Sequence, residues 1–270
     1  MEEDRVPSRV APKPAGRSAG RTGTSVAGVI GEILMTAGAV VLLYVVWQLW
    51  LGDVIYGAQA NAQGQDLSQA WAQQYDGAPA PSPPATAPSP TPSPTGGPEV
   101  DAVAPVILEE PAGAEDFGVL HVPRFGADYA VPMAGGVTRA GTLDRQRIGH
   151  YPGTQMPGEV GNFAVAAHRT TYGAPFNRIA ELHVGDALVI ETAVGWYTYR
   201  FRNLEYVVPS AVEVLLPVPQ IDAAPAGSRY MTMTSCSPLY SAAERIIAYS
   251  VFESFTPRAD GAPDSLGGGA

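Results

Sequence analysis

Cysteine is nearly absent from this chain: Cys236 is the only one among 270 residues. One cysteine excludes an intramolecular disulfide framework, so the fold must be held by its core. Basic residues are also scarce beyond residue 52, where acids outnumber them two to one, and the whole chain carries a formal charge of −10. Without a basic stripe to neutralise phosphates, no nucleic-acid partner is expected. No cluster of His, Asp, Glu and Cys has metal-ligand spacing, so neither a metal nor another cofactor is expected. No internal repeat is visible.

The composition that remains is uneven along the chain. Residues 1–25 carry Arg5, Arg9, Lys13, Arg17 and Arg21 among Pro, Gly and Ser, and read as a disordered cytoplasmic tail. From Ile33 to Leu51 the run ILMTAGAVVLLYVVWQLWL has no charge, long enough as a helix to cross a ~30 Å hydrocarbon core. A transmembrane anchor is expected over 26–52, in a single pass at the cell membrane. The upstream bases place the N-terminus in the cytoplasm and the remainder outside. A cleaved signal peptide is the alternative, with Ala60-Asn61-Ala62 as its cleavage site, but the run exceeds the usual apolar stretch of about 7–15 residues.

Residues 53–78 are polar, with Leu67, Trp71 and Tyr75 as one weak helical stripe, and read as a juxtamembrane segment. Residues 79–104 form a Pro/Ser/Thr-rich linker. Its run PAPSPPATAPSPTPSPTGGP favours polyproline geometry and, fully extended, would hold the downstream domain about 50–60 Å from the membrane. A tail is expected over 258–270.

Between 105 and 257 short apolar runs alternate with Gly and Pro turns. FGVLHVP, YAVPM, NFAVAAH, ALVIET, WYTYRFRNLEYVV, VEVLLP, YMTMTSC and RIIAYSVFE read as strands, and LDRQRIG and PFNRIAEL as helical turns. Tyr197, Tyr199 and Phe201 alternate with Thr198, Arg200 and Arg202, the period of a half-buried strand. Many short strands in so little chain imply an all-β closed barrel or a sandwich.

The lone cysteine lies where chemistry is accessible. Tyr230, Thr232, Thr234 and Cys236 share one strand face, Met231, Met233 and Ser235 the other, and Ser237-Pro238 stops the strand. Cys236 therefore ends its strand beside a surface groove. If the next strand, RIIAYSVFE, is adjacent, Arg245 meets Cys236 at the same sheet edge. Four histidines could supply a base: His121 within a strand, His150 in a loop, His183 after a turn, and His168, whose strand-end position mirrors that of Cys236.

TMTSC followed by Arg245 resembles the TLxTC…R signature of sortases, the cysteine transpeptidases of Gram-positive cell surfaces. NFAVAAHRTTYGAPF resembles the strand and loop around their catalytic histidine. The order His, Cys, Arg, the HYPGT turn and the N-terminal anchor are most similar to class E sortases of actinobacteria, over about 115–255. Met233 stands for the usual Leu and Ser235 for the usual Thr.

The resemblance implies a closed eight-stranded β-barrel with short helices. It implies Cys236 as nucleophile, His168 as proton donor and acceptor, and Arg245 as stabiliser of the oxyanion. The substrates implied are secreted proteins with a C-terminal LAxTG- or LPxTG-like sorting signal, cut between Thr and Gly. The acceptor implied is a peptidoglycan precursor amine such as lipid II. Tyr151, Tyr172, Thr234 and Ser235 are candidate substrate-binding residues. An L,D-transpeptidase is disfavoured because Ser235 and Pro238 stand where its Gly and Arg belong, and a papain-like hydrolase because its Cys precedes its His. A stalked β-domain that binds wall polymer or a partner protein without catalysis is the non-enzymatic alternative.

Overall fold

The alternation at 196–202 is realised in a long strand whose inward side chains, Tyr197, Tyr199 and Phe201, are buried in the core. This computed structural model describes residues 25–47, 52–76 and 103–267. Its strands are β1 (Asp116–His121), β2 (Ala130–Gly135), β3 (Ile148–His150), β4 (Gly161–Ala166), β5 (Ala187–Glu191), β6 (Gly195–Val207), β7 (Arg229–Ser237) and β8 (Glu244–Pro257). They close into a barrel in the order β1-β2-β3-β4-β7-β8-β6-β5, with β5 returning to β1. The β2–β3 and β4–β7 pairs are parallel and the others antiparallel.

Alternate residues of these strands fill the interior: Leu120, Phe163, Val165, Leu188, Ile190, Met231, Met233 and Ile246 join the β6 aromatics. Each such side chain removed from water contributes roughly 1.5–3 kcal/mol before chain entropy is set against it.

Seven of the eight expected strands form. VEVLLP instead makes a short 3-10 turn, Val212–Leu215. It is tied down by Asn162 Nδ2, which donates to the carbonyls of Val214 and Leu216, both at 3.0 Å. The eighth strand is β3, three residues long, which the sequence presents as a loop. Three residues cannot display a period of two, so the strand has no pattern to read. The helical turns at Leu143–Arg145 and Ile179–Glu181 form as expected.

Outside the barrel are α1 (Val26–Val46), α2 (Gly52–Asp76) and α3 (Asp264–Gly267). The 21-residue α1 forms a unit apart from the barrel and is long and apolar enough to cross a membrane. Residues 1–24 of the expected cytoplasmic tail lie outside the described residues.

The segment expected to lie next to the membrane forms α2. α2 packs on β2; its fully buried residues are the small Gly52, Ala60 and Gly64, while Leu67 and Trp71 are half-buried farther along the helix. Ala60 and Gly64 are buried, and a Cβ on Gly64 would lie 2.0 Å from the Ala130 carbonyl oxygen. Only glycine permits that approach. Asn61 Oδ1 accepts from the Ala130 amide at 3.1 Å, and Ser68 Oγ donates to Glu191 Oε2 at 2.8 Å. Tyr75 stays exposed. The residues that read as a cleavage site thus lie within a packed helix.

A stand-off role is expected of the Pro-rich run. Residues 77–102 lie outside the described residues, but the chain on either side is packed on one body. α2 precedes the run, and after it Tyr197 Oη donates to the Val106 carbonyl. α2 and the segment around Val106 belong to one unit with the barrel.

The expected tail from 258 likewise opens on a packed residue. Arg258 is buried, its Nη2 donating to Glu191 Oε1 at 2.9 Å and its guanidinium lying 4.5 Å from the Trp196 ring centroid. Residues 268–270 lie outside the described residues.

Candidate active site

The parallel pairing of β4 with β7 brings the histidine and the cysteine together. Ala166 is in register with Thr234, and the Ala167 amide donates to the Thr234 carbonyl at 3.3 Å. His168 and Cys236 each follow their register partner by two residues. Neighbouring strands lie about 4.8 Å apart, so the two side chains emerge side by side at one barrel end. β8 then runs antiparallel to β7 with Cys236 opposite Arg245. Three residues distant in sequence thus share one rim because β4, β7 and β8 are neighbours.

They open onto a cleft of about 720 Å³ whose walls also include Tyr151, Thr234 and Tyr240. Cys236 is a free thiol and half-buried. Its alternation is the one read from sequence: Met231 and Met233 point into the core, while Thr234 and Cys236 share the face toward the cleft. Arg245 Nη1 donates to the carbonyls of Ala242 and Glu244, at 3.1 and 3.0 Å. Both bonds use one nitrogen of the guanidinium and hold it on the rim.

His168 is fixed from two sides. Its Nε2 lies 2.7 Å from Asp144 Oδ1, and Tyr172 stacks on its ring with centroids 5.2 Å apart and planes 26° from parallel. Partial desolvation works against ionisation of Asp144. The hydrogen bond to His168 and the charge of Arg139, 3.4 Å away, outweigh it and hold the carboxyl below the usual carboxylate range.

The other three histidines are placed elsewhere. His150 is buried in β3, where burial pushes its imidazole below the ordinary range against the bond to the Gln155 carbonyl and the charge of Glu110; its Nε2 also lies 3.0 Å from Thr154 Oγ1. His121 binds Glu191 at 2.9 Å, and His183 is exposed.

Of the candidate substrate residues, Tyr151 and Thr234 bond to each other, Oη to Oγ1 at 3.0 Å, on the cleft wall. Ser235 borders the cleft, but its hydroxyl is engaged: it is buried and donates to the Ala167 carbonyl at 2.8 Å, fastening β7 to the end of β4. Tyr172 reaches the site through the His168 ring.

Sequence reasoning missed Asp144, Arg139 and Arg169. Asp144 precedes His168 by 24 residues on a different loop, and nothing in its neighbourhood marks it. Arg169 is buried beside the site, its Nη1 directed at the Cys236 carbonyl at 3.4 Å. No group of three or more potential metal ligands exists among the described residues.

Comparison with known proteins agrees with this geometry. A sortase-domain family model matches residues 120–253. Sortase SrtE1 of Streptomyces coelicolor is 34% identical over 243 residues, covering 88% of this chain; the chain spans 60% of that relative's length. The structure of SrtA sortase from Actinomyces oris is 37% identical, covers 60% of this chain and 93% of its own, and superposes with a TM-score of 0.58. Sortase E1 from Streptomyces coelicolor, solved with a tripeptide in its active site, is 36% identical, covers 57% of this chain and 99% of its own, and gives a TM-score of 0.53. A shared barrel and sequence identity at this level over nearly the whole length of those solved domains place the chain in the sortase family of cysteine transpeptidases, with class E sortases among its relatives.

Proposed function

We propose that this chain is a membrane-anchored sortase that cleaves the Thr–Gly bond of a C-terminal LAxTG- or LPxTG-like signal and joins the protein to a peptidoglycan amine. The observation that carries the reading is the β4–β7–β8 register, which gathers His168, Cys236 and Arg245 on one cleft. The tripeptide in the active site of Sortase E1 supports a peptide substrate for a cleft of this kind. With α1 as the anchor, the bases upstream favour a cytoplasmic N-terminus and an extracellular barrel.

In the first half-reaction the Cys236 thiolate attacks the threonine carbonyl carbon. The oxygen becomes negative and meets the Arg245 guanidinium, whose charge and planar fork suit an oxyanion. The C–N bond to glycine breaks, and His168 gives its proton to the departing amine, leaving a thioacyl-enzyme. In the second half an acceptor amine attacks the thioester, the C–S bond breaks to regenerate thiolate, and His168 takes the amine's proton. Asp144 holds His168 through Nε2 and leaves Nδ1 to serve the cleft, the arrangement in which a carboxylate orients an imidazole. Tyr151, bonded to Thr234 on the wall, is the candidate to narrow the pocket at the signal's second position.

The test uses the full chain in detergent micelles, because α2 is part of the packed unit. LAxTG- and LPxTG-like peptides are supplied with an amine and the products are weighed by mass spectrometry. A peptide joined to the amine, with a thioester adduct on Cys236 and neither in Cys236→Ala, is the expected result. An unmodified thiol under all conditions sinks the reading in favour of a non-catalytic binding domain. The preference between Ala and Pro at the second position is then compared in Tyr151→Ala; an unchanged ratio clears Tyr151 of that role.

A further inference from the structure

The loop that follows His168 is bent in an unusual way. Thr171, Tyr172, Gly173 and Ala174 all take positive φ, at 67, 51, 79 and 43°. Each non-glycine residue in that region costs on the order of 1 kcal/mol, so the loop keeps this shape only if its surroundings hold it. Its base is held from the barrel side. The Phe176 amide donates to the His168 carbonyl at 3.0 Å, Asn177 Nδ2 to the Arg169 carbonyl at 3.0 Å, and Tyr129 Oη to the Pro175 carbonyl at 2.9 Å.

Its tip is held by α2. Asp53 Oδ2, in the first turn of that helix, accepts from the Thr171 amide at 3.0 Å. One turn on, the two backbones touch: a Cβ on Gly173 would lie 2.9 Å from the Gly57 nitrogen and from the Tyr56 carbonyl carbon. Glycine at 173 serves both the left-handed φ and the close approach. The residue between these two contacts is Tyr172, whose ring stacks on His168. Thr170 and Thr171 also line the cleft.

We propose that Asp53 is a positioning residue for the catalytic loop: the helix directly following the apolar segment clamps the loop tip, and through Tyr172 fixes the plane of His168. This rests on the sortase reading of His168, but the clamp itself is a structural statement with its own readout. It also means that a truncated chain beginning after the Pro-rich run would lack part of its active-site scaffold.

The experiment uses the full chain in detergent micelles and compares Asp53→Ala, Asp53→Asn, Ser68→Ala and the unmodified protein. Amide hydrogen exchange is followed over 169–176 and over β7, together with kcat and KM for a sorting-signal peptide and the rate of Cys236 alkylation by iodoacetamide. In Asp53→Ala, loop exchange should rise about tenfold with β7 unchanged, as expected of a local opening. Its kcat should fall about tenfold with KM nearly constant, because an imidazole out of line costs chemistry more than binding.

Asp53→Asn keeps an acceptor oxygen and should restore most of both. Ser68→Ala, which removes a bond farther along the same helix, should leave loop exchange and kcat unchanged. Unaltered loop exchange in Asp53→Ala overturns the clamp. A loosened loop with unaltered kcat overturns the positioning role. If no peptide acylates even the unmodified protein, the sortase reading fails, and loop exchange by itself still decides the clamp: a looser loop in Asp53→Ala supports it and unaltered exchange overturns it.

Discussion

His168 and His121 each hold a carboxylate through Nε2, Asp144 at 2.7 Å in the first pair and Glu191 at 2.9 Å in the second. Bond lengths alone do not distinguish them. What differs is the number of other partners. Glu191 is buried among His121, Arg258 and Ser68, so β1, β5, α2 and the chain after β8 all close on one carboxylate. Asp144 is less enclosed, is shared only with Arg139 among the described residues, and holds an imidazole that faces a cleft beside a free thiol. A carboxylate satisfied on every side holds a fold together; one whose histidine opens onto a cleft beside a free thiol can orient an imidazole for proton transfer.

The sharpest way to break this comparison is to remove each histidine. His168→Ala should lower acyl transfer by about 10²–10⁴ with little change in Tm. His121→Ala should do the reverse, lowering Tm and sparing turnover. A large activity loss in His121→Ala would erase the distinction. Arg245→Ala should reduce kcat by about 10²–10³ while the protein stays folded, and Arg245→Lys should recover only part, because it lacks the fork. Full activity in Arg245→Lys refutes a fork-dependent role.

The carboxylates come next. Asp144→Asn should cost about 10–100-fold in kcat, the usual size for a residue that orients another, with KM nearly constant. Glu191→Ala should leave the chemistry intact and cost about 3–5 kcal/mol of stability by denaturant unfolding, since Arg258 would be left buried without its counter-charge.

The smallest effect expected is in the pH dependence of that stability. Desolvation opposes the charge on Glu191, but His121, Arg258 and Ser68 together lower its carboxyl from 4.5 to about 2. A depressed folded-state pKa stabilises above the unfolded value and loses its effect as pH falls through the folded one. The stability gap between the unmodified protein and Glu191→Gln should therefore be full above pH 4.5 and shrink toward pH 2. A gap independent of pH would show that the network acts through packing alone.

The strand that carries Cys236 was legible because Met231 and Met233 alternate with Thr232 and Thr234, and because Ser237-Pro238 ends the run. Arg245 followed from the proximity of the next strand. His168 was favoured by its strand-end position, and the resemblance to sortases then assigned it the catalytic role. Less was legible where the contact is made by residues with no hydrophobic signal. The tightest contacts of α2 on the barrel are made by Ala60, Asn61 and Gly64, which apolar periodicity does not mark; it finds the half-buried Leu67 and Trp71, and the exposed Tyr75. β3 was too short to show a pattern, and the exposed Val212 gave VEVLLP the look of a strand for which the closed barrel has no free edge.

The local sequence determined the strands, the apolar helix and the chemistry at the end of β7, because hydrophobic period, charge and turn residues act over a few neighbours. Tertiary structure alone decided that β4 lies parallel to β7, that Asp144 reaches His168 across 24 residues, and that Asp53 reaches Thr171 across 118. Those contacts depend on which strand edges meet and how closely two backbones approach. No pattern confined to one segment records either.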